Sequence, residues 1–209
     1  MATRNMLYDG DKGLTKTSRK VTDFNKRLHI LLDDMRETLI EANGLGLAAP
    51  QVGVLRRVAL IVDVTAVDDA DGGADVDADV DEANEFGSDA DGDAAGCDFK
   101  EQIIELVNPE IICSEGEQTG SEGCLSVPGV YGIVTRPDVV KVRAQDRHGE
   151  FFELEVSELT ARAVCHEVDH LDGVLFTSIA ERFLTEEEFE ELRSQAQDES
   201  NDVLNPVTS

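Results

Sequence analysis

One stretch constrains this chain more than any other. Residues 157–173 read Ser-Glu-Leu-Thr-Ala-Arg-Ala-Val-Cys-His-Glu-Val-Asp-His-Leu-Asp-Gly. They carry the marks of a helix, with Ser157 as N-cap and Gly173 at the left-handed position that commonly ends one. Within it His166 and His170 stand four residues apart, so both imidazoles leave one face about a turn apart. Glu167 sits beside the first. This is His-Glu-x-x-His, which offers a divalent metal two nitrogens and the reacting water a carboxylate. The chain has only 4 histidines in 209 residues, and two at this spacing around a glutamate point to a metal site rather than a solvated helix.

A tetrahedral catalytic site takes a third protein ligand and leaves a fourth position for water. No histidine follows His170, and Glu181 and the acidic run 186–191 read as solvated surface. Upstream, Cys124 in Glu122-Gly123-Cys124-Leu125-Ser126 is the better candidate, because a thiolate is a strong soft ligand. Further upstream, residues 44–51 (Gly-Leu-Gly-Leu-Ala-Ala-Pro-Gln) read as a small-residue loop. Gly44 and Gly46 let the backbone approach a ligand closely, and Gln51 offers an amide that both donates and accepts.

In this order, the three stretches resemble the peptide deformylase family, whose pattern is Gly-φ-Gly-φ-Ala-Ala-x-Gln, then Glu-Gly-Cys-Leu-Ser, then His-Glu-x-x-His. The resemblance covers roughly residues 5–63 and 100–183, and neither the segment between nor the last twenty-odd residues. It implies one α+β domain with antiparallel sheets surrounding a central metal-binding helix. Cys124, His166 and His170 would hold the metal, and Glu167 would act as general base. The Gln51 side chain and the Leu125 backbone N–H would form the oxyanion hole. Gly44, Leu45, Gly46, Gly123 and Leu159 would bind substrate, with Leu45 and Leu159 lining a pocket for a methionine side chain. The reaction implied is hydrolysis of the formyl group from N-formylmethionine at the start of newly made proteins, releasing formate.

The metal implied is Fe²⁺; zinc, nickel or cobalt can take its place, and Cys/His/His suits zinc by donor type alone. The implied partners are N-formylmethionyl nascent peptides, met through transient association with the ribosome in the cytoplasm. Cys165 departs from the family, which generally has Gln immediately before the first histidine. One residue rotates a helix by about 100°, so Cys165 is not expected to reach the metal. Asp169 is read as pointing away from the metal, either solvated or paired with Arg136. The rivals are another His-Glu-x-x-His hydrolase such as a zinc peptidase, which would need a ligand after His170, and a non-catalytic nascent-chain binder, which would need neither Glu167 nor Gln51.

Composition narrows the rest. Hydrophobic residues make up 41% but aromatics only 5%, with no Trp, so the core should be aliphatic. A net charge of −27 argues against independent binding to DNA or to an anionic membrane. No apolar run is long enough to span a bilayer, and the first residues lack the layout of a signal peptide. The four cysteines show no Cys-x-x-Cys spacing and read as reduced thiols. Residues 64–99 hold 13 of the 45 acidic side chains and no Lys or Arg, which reads as a disordered insert between two strands. Asp89, Asp91 and Asp93 start like a calcium loop, but Ala94 stands at the glycine position and Lys100 at the final glutamate, so that reading fails.

In chain order, residues 1–20 read as an extended arm lying on the domain. Asp23 is expected to cap a helix running to about Asn43, with Leu28, Leu31, Leu32, Met35 and Leu39 on one stripe. A largely buried strand follows over 57–64, and another over 103–112 interrupted at Pro109. Short strands are expected over 131–135, 139–145 and 150–156, with a turn at 146–149 in which His148 is solvated. Residues 174–179 read as a final strand or turn. The catalytic domain is placed at 1–183. Thr185 and Glu188 then form a capping box for an acidic helix to about Gln195, followed by a disordered tail.

Overall fold

The computed structural model describes residues 2–64, 103–189, 191 and 192. The readings for the acidic insert, the calcium pattern and the tail beyond 192 lie outside those residues. Helix α1 (Lys26–Glu41) is followed by strands β1 (Gly46–Ala48), β2 (Val58–Val62), β3 (Ile103–Glu115), β4 (Gln118–Cys124), β5 (Val127–Arg136), β6 (Val139–Gln145) and β7 (Phe151–Ser157). Helix α2 (Glu158–Asp172) and strand β8 (Arg182–Leu184) follow, and after Thr185 residues 186–189, 191 and 192 are helical, with the expected Thr185/Glu188 capping box. Two antiparallel sheets result, one ordered β1-β2-β3-β6-β7 and the other β4-β5-β8. This is the α+β arrangement expected.

The all-apolar sequence of β2 has a simple cause: both faces of the strand are covered. Side chains alternate across a strand. Val58, Leu60 and Val62 join the cluster under α1, formed by Leu28, Leu31, Leu32, Met35 and Leu39. Ala59 and Ile61 join the cluster under α2, with Ala161, Val164, Cys165 and Leu171. The five-stranded sheet is therefore packed between two helices, and the His166/His170 helix lies between that sheet and the three-stranded one.

Several boundaries differ from expectation. Helix α1 is capped by Asn25, whose side chain accepts from the Arg27 N–H at 2.9 Å, and not by Asp23. It ends with Asn43 at φ 49°, where the Gly44 N–H reaches the Leu39 carbonyl and the Asn43 N–H that of Ile40, a Schellman closure. Residues 44–51 are not simply a loop: Gly46–Ala48 is an edge strand paired with β2, and Ala49–Val52 is a 3₁₀ turn. Strand β3 continues through Pro109, and the missing N–H appears as a register shift between Val107 and Glu110 beside Asn108 at φ 54°. Residues 174–179 resolve as a turn, with a 3₁₀ segment at Phe176–Ser178. Strands β4 and β8 had no counterpart in the sequence reading. The N-terminal arm does lie on the domain, with Leu14 fully buried and the Leu7, Asp9 and Ser18 N–H groups bonded to the Gln51, Ser126 and Leu171 carbonyls.

Candidate active site

Helix α2 carries most of the site, and both of its ends are fixed. Ser157 is extended, as an N-cap should be, but its side chain makes no capping bond. The start is held instead by the Glu158 N–H to the Asp138 carbonyl at 2.8 Å and by the Gln118 side chain to the Glu158 carbonyl at 2.6 Å. At the other end Gly173 has φ +78°, and a Cβ there would lie 2.7 Å from the Thr15 backbone, so glycine is required twice over. Between these ends the His166 and His170 rings meet edge-on with centroids 5.0 Å apart.

Cys124, at the end of β4, meets this helix face. Its Sγ lies 3.2 Å from His170 Nε2, and the ligand atoms of Cys124, His166 and His170 all lie within 4.8 Å of one another. Bonds of about 2.0–2.3 Å let one ion reach all three after small side-chain adjustments. His166 Nδ1 faces Glu122 Oε2 at 3.0 Å. A carboxylate only accepts, so Nδ1–H donates, and Nε2 is the nitrogen that would bind a metal, giving up its proton as it does so. The donors thus fit a divalent metal in type and spacing, and the Glu122 bond orients His166 for it. Cys165 is buried in the cluster beneath the sheet, away from this group.

Glu122 is the hub of the surrounding charges. Besides His166 it takes Arg136 Nε at 2.8 Å and Nη2 at 3.0 Å, and Arg162 Nη1 at 2.9 Å. Arg136 also reaches Asp169 at 2.6 Å, so Asp169 takes the paired alternative. Burial alone would raise the Glu122 carboxyl, but hydrogen bonds from His166 and Arg136 outweigh it and bring it to about 2. Burial would lower His166, but bonds to Cys124 and Glu122 lift it to about 10. Burial, with the charges of His166 and Arg136, drives His170 down to about 3. Burial pushes Glu167 up to about 7 and the Cys165 thiol up to about 11.

Glu167 is 4% exposed, and its Oε2 has no hydrogen-bond partner. Gly46 lies against it so closely that a Cβ there would stand 2.5 Å from Glu167 Oε1. Gln51 is fully buried; its Oε1 accepts from the Ala48 N–H at 2.8 Å, and its Nε2 donates to Ser126 Oγ at 3.2 Å and Cys124 Sγ at 3.6 Å. A cavity of about 430 Å³ opens over these groups. Gly44, Leu45, Gly46, Gln51, Gly123, Cys124, Leu125, Leu159, His166 and Glu167 all line it. Every candidate from the sequence except His170 is therefore on its wall, and His170 lies behind, against Cys124. Leu45 and Leu159 stand half-exposed at 41% and 44%.

Among the lining residues that were not anticipated, Arg162 and Tyr131 stand out. Arg162 is buried, bonded to Glu122 and to the Gln118 and Val134 carbonyls. The sequence did hold a signal for it, because 162, 166 and 170 form one helical stripe. Tyr131 also lines the cavity, and nothing local marked it.

A helix bearing His-Glu-x-x-His, with a cysteine delivered from a neighbouring strand, defines the class of metal-dependent hydrolases, here with a Cys/His/His group that could hold the ion. A sequence model of the family described as polypeptide deformylase matches residues 3–184. The peptide deformylase of Caldicellulosiruptor bescii is 46% identical over 93% of this chain and 96% of its own. Peptide deformylase 1 of Bacillus subtilis is 43% identical over 92% and 99%. Among solved structures, a peptide deformylase from Legionella pneumophila superposes with TM-score 0.66 at 33% identity, covering 98% of this chain and 100% of that one. The chain belongs to the peptide deformylase family, metal-dependent enzymes that hydrolyse the formyl group from N-formylmethionyl peptides. The peptidase and binder alternatives are not favoured.

Proposed function

We propose that Cys124, His166 and His170 hold a single Fe²⁺ and that Glu167 is the general base of the deformylation. One observation carries this reading: a buried carboxylate oxygen of Glu167 without a partner, next in sequence to a histidine of a Cys/His/His group. A bound ion would supply Lewis acidity, polarising the formyl group and making water acidic enough to act as a nucleophile at neutral pH. Glu167 takes the proton from the attacking water and returns it to the amine as the C–N bond breaks, leaving formate and a free methionine N-terminus. The Gln51 amide and the Leu125 backbone N–H meet the negative charge that develops on the formyl oxygen. Gln51 is pre-set for this, since its own carbonyl is tied to Ala48.

Gly44, Gly46 and Gly123 allow an extended peptide to lie close to the backbone, and Leu45 and Leu159 supply apolar wall for the methionine side chain. The substrate arises on chains leaving the ribosome, so the enzyme works in the cytoplasm through transient contact there. Residues 185–192 carry five glutamates and no cation, a charge that repels ribosomal RNA. None of the described helices is long and apolar enough to cross a membrane.

The test is Glu167→Ala in protein purified anaerobically and analysed for metal. The variant should keep its metal and its fold and lose formate release from formyl-Met-Ala-Ser by at least about 10²-fold. A metal-loaded variant that still turns over near the parent rate would sink the assignment. The same metal analysis of the parent protein decides iron: zinc as the dominant ion would replace that part of the proposal.

A further inference from the structure

We infer that Phe189, outside the residues 3–184 that the family model matches, is a positioning residue of the substrate cavity, acting through Tyr131. The inference rests on the deformylase reading of that cavity. Tyr131 is in the middle strand of the smaller sheet, opposite Gly123 of β4 on one side and Leu184 of β8 on the other. Its ring lies over Gly123 so closely that a Cβ there would sit 3.0 Å from both Cδ1 and Cε1. Gly123 directly precedes Cys124, and the β4–β5 register shifts between those two residues. The ring thus packs against the backbone that delivers the thiolate, and it also forms part of the cavity wall.

Phe189 stacks on the same ring, with centroids 3.6 Å apart and planes inclined by 7°. Its own place is fixed. The Thr185 N–H donates to Glu188 Oε2 at 2.8 Å, the Glu188 N–H donates to Thr185 Oγ1 at 3.2 Å, and the Phe189 N–H donates to the Thr185 carbonyl at 3.0 Å. Arg182 of β8 pairs with Glu188 at 3.0 Å. The capping box therefore orients the helix start so that one aromatic side chain lands on Tyr131. A tyrosine ring left without that neighbour gains rotamer freedom beside a glycine, which supplies no side chain to restrain it. The cavity wall then has to be ordered each time a peptide binds, which weakens binding more than the bond-making step.

The experiment uses the full-length, metal-loaded enzyme with formyl-Met-Ala-Ser as substrate and measures KM, kcat, metal content and thermal unfolding. Phe189→Ala should raise KM about three- to tenfold, the range expected for one lost aromatic pair, with kcat and metal content within twofold of the parent. Phe189→Tyr should restore KM. Tyr131→Ala should raise KM as well, and Phe189→Ala added to it should do nothing further, since the two act as one unit. Unchanged KM in Phe189→Ala, or additive effects in the double variant, would overturn the inference. If Phe189→Ala loses fold or metal, Phe189→Leu decides: it keeps apolar packing without the stack, so a parental KM in Phe189→Leu also overturns it. Absence of formate release from the parent enzyme would instead overturn the functional reading itself.

Discussion

At the scale of single residues, the site is governed by how little space surrounds Glu167. Gly46 leaves no room for a methyl group beside that carboxylate. We expect Gly46→Ala to keep its metal yet to lose about 10²-fold in kcat, the scale of loss for a misplacement near 1 Å. Formate release and metal analysis on one sample check this, and a kcat within threefold would mean that the observed Glu167 position is not the working one. The ligand set makes a sharper pair of predictions. Cys124→Ser should lose most bound metal, and Cys165→Ser should keep it, because only the first sulfur stands beside His170. Equal loss in both would remove Cys124 from the set. Glu122→Ala should leave Arg136 and Arg162 buried without their shared partner, at a cost of about 3–5 kcal/mol in denaturant unfolding. The grouping of His166, Glu167 and His170 was legible in the sequence because helical spacing alone places two histidines and a glutamate together. Glu122 was quoted as part of a motif, but its role as a hub was hidden, since it depends on Arg136 and Arg162 arriving from β5 and α2.

At the scale of elements, the interior α1 stripe was readable and its start was not. Asp23 and Asn25 are both good caps by type, and only backbone geometry separates them. Asn25→Ala should therefore lower stability by about 1 kcal/mol, whereas Asp23→Ala should change it little. Chemical denaturation of both variants settles the point, and the reverse ranking would show that the cap is misassigned. Strands β1 and β4 escaped notice for a shared physical reason. Gly46-Leu47-Ala48 and Gln118–Cys124 are built from small and polar residues of low strand propensity, and the partner strands make them extended. Strand β2 was legible because its apolar run needed two covered faces. Strand β3 was read as broken at Pro109, where the chain inserts a bulge and carries on.

At the scale of the whole molecule, charge and fold are largely separable. The acidic residues of 64–99 fall between Val62 and Ile103, which are directly paired neighbours in the antiparallel β2–β3 ladder. Strands so joined need only a short connection, and loop entropy grows only with the logarithm of length. Replacing residues 65–98 by a short Gly/Asn-rich turn should leave metal content and turnover of formyl-Met-Ala-Ser within about twofold, while the isoelectric point rises and solubility falls. A tenfold drop in turnover by a folded, metal-bound deletion protein would place that segment in the active site.

The two sheets meet at the Cys124/His166/His170 group, and this has a thermodynamic consequence. Cys124 ends a strand of the smaller sheet, whereas His166 and His170 belong to a helix packed on the larger one. An ion held by all three is a non-covalent cross-link between two halves of the molecule, and the unfolded chain has no preformed equivalent. By mass action, free metal at a hundred times its dissociation constant adds about 2.7 kcal/mol to the folded state, or about 5–10 °C in midpoint for a chain of this size. The melting temperature should therefore climb with the logarithm of free metal and drop by that amount on chelation. In Cys124→Ser, where one half has lost its hold on the ion, the same titration should run nearly flat.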